Sequence, residues 1–187
     1  MAQRSPRIWT AYGVFFLGIM VAAIASQLAA RNLPASTTFA SPWAMAIIGA
    51  LVGSLIMWCL IGLLVMLLSG TGSRSFEIAG WSGAAMLTAG LALLVLAAFF
   101  PIHGSVPPVP TDAKQLADWM KQYQYVVQHS TYGRFSRWFS LLGMLWGAWI
   151  IYGGVLVFNR ARAALTAGMY AGLELIFFFM GALRLGR

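Results

Sequence analysis

The chain has 187 residues, of which 60% are hydrophobic and 9% charged, where a soluble domain carries about a quarter charged residues. A soluble core of this length has no room for so much apolar surface, whereas lipid accepts it, so a single membrane domain over residues 1–187 is expected. The formal charge of +8 does not indicate nucleic acid, because the bases lie between or beside apolar runs and not in a patch with stacking aromatics; they read as topological anchors that attract anionic lipid headgroups.

Arg4 and Arg7 precede the first apolar run, read as span one over residues 8–30. A basic flank and an apolar run also describe a secretory signal, but this run exceeds the usual signal core of about 7–15 residues. A polar connection bounded by Pro34 and Pro42 follows, and span two covers 43–68. The break Ser69-Gly70-Thr71-Gly72-Ser73-Arg74-Ser75-Phe76-Glu77 is rich in turn formers, and its charges belong in water or among headgroups. Span three covers 78–100 and stops at Pro101.

Residues 101–137 form the sizeable polar loop. Its start is too proline-rich for a helix; Thr111 then offers an N-cap, with Asp112 in the first turn. From Asp112 to about Gln128, Leu116, Met120, Tyr123 and Val127 recur at helical spacing. A short amphipathic helix is expected there, on the bilayer or over the helix ends, with Trp119, Tyr125 and Tyr132 suited to an interface. Span four covers 138–158 and span five 163–183, joined by so short a turn that the two helices are antiparallel neighbours. The fold class is thus all-α: five transmembrane helices in two tight hairpins and a lone first helix, plus one amphipathic helix between spans three and four.

Five crossings place the termini on opposite sides. With the N-terminus cytoplasmic, in what reads as a cell inner membrane, that face holds Arg4, Arg7, Arg74, Arg160 and Arg162. The other face holds Arg31, Lys114, Lys121, Arg134, Arg137, Arg184 and Arg187. The raw count opposes this orientation, while the arginine hairpin turns and the first span's basic flank favour it.

Reactive groups are sparse at depth. No Asp or His lies within a span and no Gly-x-Ser-x-Gly occurs, which argues against an enzyme: no catalytic, cofactor-binding or metal residues are assigned. Cys59 is the lone cysteine and reads as a small apolar side chain. His103 and His129 lack metal-ligand spacing, and Gly70–Ser73 lacks the phosphate-loop pattern. Glu174, midway through span five, is the exception. A carboxylate at that depth faces the bundle or is protonated, with Tyr170, Thr88 or an arginine as its partner.

Gly49 and Gly53, Gly143 and Gly147, and Gly168 and Gly172 stand one turn apart on spans two, four and five. Such pairs let helix backbones approach closely, either within the bundle or against a partner.

The layout resembles the Yip-domain family, the Ypt-interacting five-span membrane proteins. The turn at Gly70, Gly72 and Ser73 is similar to that family's Gly-Gly-x-Gly-Ser turn, and Gly80-Trp81-Ser82-Gly83-Ala84-Ala85 resembles its Gly-Tyr-x-x-x-Pro stretch, with Trp81 in place of the tyrosine and no proline. Arg160–Arg162 followed by Ala163 and Ala164 resembles the family's last hairpin. The Asp-Leu-Tyr-Gly-Pro signature of eukaryotic members is absent, so the resemblance implies a prokaryotic-type member without enzyme chemistry. The expected role is binding or organising membrane partners, whether other membrane proteins or a second copy. A small transporter built around Glu174 and an accessory subunit of a larger membrane enzyme are the alternatives.

Overall fold

Long apolar runs form helices here because, in lipid, a helix satisfies its own backbone. The computed structural model describes residues 7–34, 41–110 and 112–183. Every regular element among them is helical: α1 (Ile8–Ala29) with a 3-10 turn (Ala30–Asn32), α2 (Pro42–Ser69), α3 (Arg74–Phe99), α4 (Ala113–His129), α5 (Thr131–Leu156) and α6 (Arg160–Leu183). Among the described residues, four segments are long and apolar enough to cross a membrane: Ile8–Asn32, Pro42–Ser69, Arg74–Phe99 and Thr131–Leu156.

The first helix is not alone. α1 runs parallel to α3, and this pair makes the most extensive contact in the molecule. Small residues on both helices permit it. A Cβ placed on Gly18 would stand 2.8 Å from the Gly83 carbonyl oxygen, one on Gly80 would meet the Ala11 backbone, and one on Gly90 would stand 3.2 Å from the Ala22 nitrogen. Helices associate in lipid by packing, and a backbone-to-backbone seam maximises that packing.

The break between α2 and α3 is shorter than expected, since α3 starts at Arg74 and not at Ile78. Gly70 ends α2 in the left-handed conformation at φ 69° and Gly72 turns the chain at φ 59°, positions that glycine occupies without steric cost. Glu77 then lies in the first turn of α3, where the helix dipole favours it, 3.0 Å from Arg74.

The largest departure lies in the polar loop. α5 begins at Thr131, seven residues before Trp138, after a single residue that separates it from α4. Ser130 makes the corner: its side chain accepts from the Gly133 N–H at 3.0 Å, an N-cap in front of a first turn that carries little apolar character. Arg134 and Arg137 are consequently helical. At the other hairpin α5 ends at Leu156 and α6 starts at Arg160.

α4 packs at one end of the bundle. Tyr123, Val126 and Val127 pack on a cluster that includes Ala29, Leu33, Leu93, Ile102 and Tyr132. Its buried edge is rotated from the expected stripe: Trp119 is buried, while Leu116 and Met120 are exposed. Trp119 explains the rotation, because its indole N–H donates to the Pro107 carbonyl at 2.7 Å and its ring stacks on Tyr123. Thr111, Arg4, Arg184, Arg187 and the Lys114 side chain lie outside the described residues.

Candidate functional site

Glu174 is buried, at 8% exposure. The Tyr170 hydroxyl, one turn earlier on α6, hydrogen-bonds with its carboxylate and also meets the Ser82 hydroxyl of α3. Ser82 donates in turn to the Ala79 carbonyl at 2.7 Å. Gly147 on α5 supplies the space for the phenol: a Cβ there would stand 3.2 Å from the Tyr170 oxygen. α3, α5 and α6 therefore meet where Glu174, Tyr170 and Ser82 cluster. Of the partners anticipated for Glu174, Tyr170 is the one in place; Thr88 bonds the Ala84 and Ala85 carbonyls of its own helix.

The glycine pairs divide. Gly143 makes ordinary contacts with Ala89 and the Ala85 carbonyl, and Gly147 is filled by Tyr170. Around Gly49, Gly53, Gly168 and Gly172, a Cβ would meet nothing within 4 Å. Those positions serve no close packing within the described chain. The tight seam instead uses Gly18, Gly80, Gly83 and Gly90, whose signal was the run of small residues Ala11, Gly18, Ala22, Ala25 and Ala29 on α1.

At the end that carries both hairpin turns, polar side chains finish α2. Ser69 donates to the Val65 carbonyl at 2.6 Å and joins Thr71, which reaches Ser75. Asn159 donates to the Ser69 carbonyl at 2.8 Å and Arg162 to the Leu68 carbonyl at 3.3 Å, satisfying carbonyls that a helix end leaves open. The resembling turn is therefore a structural joint between the hairpins. Of its residues, Ser73 precedes α3 without a side-chain cap bond, Gly80 abuts Ala11, and Trp81 is 38% exposed.

At the opposite end, His103 lies 3.5 Å from Asn32, and His129 stacks on Tyr125. Among the described residues no group of three metal-ligating side chains comes together. Hollows open toward that end. An apolar cleft of about 510 Å³ lies between α1, α2, α3 and α5, with Gly18, Gly49, Gly90 and Gly143 in its walls. A smaller hollow of about 240 Å³ is bordered by Gln27, Arg31, Trp43 and Tyr123. Burial pushes the Tyr123 phenol above its ordinary value.

Several apolar helices long enough to cross a bilayer, packed through glycines and with their charged residues mostly at the ends, define a multi-pass integral membrane protein. The Yip1 domain family model matches residues 1–183, and the chain belongs to that family. No curated protein and no solved structure matches it.

Proposed function

We propose that this Yip1-domain protein crosses the bilayer five times and acts without catalysis, by binding or organising membrane partners. α6 supplies the fifth crossing: its 24 residues extend about 36 Å at about 1.5 Å per residue, more than the ~30 Å hydrocarbon thickness. The N-terminus is placed in the cytoplasm of a cell with an inner membrane, on the side of Arg74, Arg160 and Arg162. Anionic lipid headgroups are partners of the basic ends.

The observation that carries the reading is the outer face of α6. Leu165, Met169 and Ile176 are exposed beside Gly168 and Gly172, whose backbones have nothing packed against them. Two glycines one turn apart form the kind of groove into which a second helix fits. Glu174, buried with Tyr170 and Ser82, supports a structural role over a transport site.

The test is quantitative purification of the tagged full chain in mild detergent, for wild type and for Gly168→Leu with Gly172→Leu. A stoichiometric membrane partner or second copy that the double variant loses, while keeping its unfolding midpoint, is the expected result. A monomer without partner in both samples overturns the reading.

A further inference from the structure

The cleft between α1, α2, α3 and α5 has the depth of one lipid leaflet. Along α1 it extends from Gly18, at the middle of the helix, to Gln27 near its end. Nine residues at about 1.5 Å each give about 14 Å, half of a hydrocarbon layer about 30 Å thick. Its walls are apolar and adaptable, with Ile19, Met45, Met86, Leu93 and Met144, and its polar side chains, Ser26, Gln27 and Ser140, belong to the residues nearest the α4 end.

Gln27 also borders the smaller hollow, so the two spaces share a wall residue at headgroup level. That hollow offers a cation and two interfacial aromatics, Arg31, Trp43 and Tyr123. Arg31 donates to the Ala98 carbonyl at a long 3.4 Å, and neither ion pair found among the described residues involves it. A guanidinium with spare donors matches a phosphate.

We propose that this composite site binds one anionic glycerophospholipid, with an acyl chain in the α1–α2–α3–α5 cleft and its phosphate beside Arg31. A slender acyl chain fits an apolar cleft of about 510 Å³ that reaches half-way through the bilayer. The site is separate from the outer face of α6, and its test does not depend on a protein partner.

The experiment is native mass spectrometry of the full chain in mild detergent, titrated with phosphatidylglycerol and with phosphatidylcholine of the same chains. Wild type retains one phosphatidylglycerol several-fold better than phosphatidylcholine. Arg31→Gln brings the two lipids to parity. Gly49→Phe, which adds its ring where a Cβ meets open space, lowers retention of both lipids, while Leu67→Phe, at the exposed far end of α2, leaves both unchanged. Should Gly49→Phe fail to fold, Ala46→Leu in the same wall carries the test alongside Arg31→Gln. Equal retention by wild type and the cleft variant, or no headgroup preference in wild type, overturns the proposal. So does a stoichiometric protein that only the cleft variant loses while lipid retention stays constant.

Discussion

Gly147 on α5 and Tyr170 on α6 fit as a space and its occupant: a Cβ on the glycine would stand 3.2 Å from the phenol oxygen. That oxygen sits between Glu174 and Ser82, so it cannot yield without disturbing both. Overpacking a filled site costs about 1–3 kcal/mol. Gly147→Leu should therefore destabilise the protein by that amount in denaturant unfolding in micelles. Gly168→Leu, in open space, should stay within about 0.5 kcal/mol. Equal effects at the two sites would refute this division of the glycines.

The bond between Tyr170 and Glu174 yields a second contrast. Tyr170→Phe keeps the ring but removes the carboxylate's donor, and a buried polar group left unsatisfied costs about 1–3 kcal/mol. Glu174→Gln keeps the shape, can still accept from Tyr170, and removes the need to bury a charge. The expected order of stability is thus Glu174→Gln at or above wild type, with Tyr170→Phe below both. Thermal unfolding in the same detergent checks the order, and a glutamine variant less stable than the phenylalanine variant would contradict it.

The helices were legible because apolar length is a strong signal in lipid, and Glu174 stood out as a carboxylate inside an apolar run. The seam between α1 and α3 was not. Gly18, Gly80, Gly83 and Gly90 do not sit in the regular one-turn pairs that drew attention to Gly168 and Gly172. Spacing within one helix reveals that a groove exists, but the element that fills it depends on tertiary packing. The start of α5 was hidden for a different reason: Thr131–Arg137 is polar enough to read as loop, and its helicity comes from the Ser130 cap and the packing of Tyr132. Likewise the periodicity of α4 marked a helix without fixing its buried edge, which Trp119 sets through Pro107.

Trp119 gives the last prediction. It is 4% exposed, and its indole N–H holds the Pro107 carbonyl at 2.7 Å, joining α4 to the proline-rich segment that enters it. Ile102, at the start of that segment, donates its backbone N–H to Ala29 at the end of α1, at 2.8 Å. The segment from Ile102 to Pro107 is thus pinned at both ends, once to α1 and once to α4. Trp119→Phe keeps an aromatic ring against Tyr123 but loses the second pin, at a cost of about 0.5–1.5 kcal/mol for one hydrogen bond. The effect should be local: faster amide exchange at His103–Val106 and along α4, with α1 and α3 unchanged. Hydrogen exchange measured by mass spectrometry reads this directly. If exchange rises equally in α3, the indole supports the whole bundle and the segment is not an independent strap.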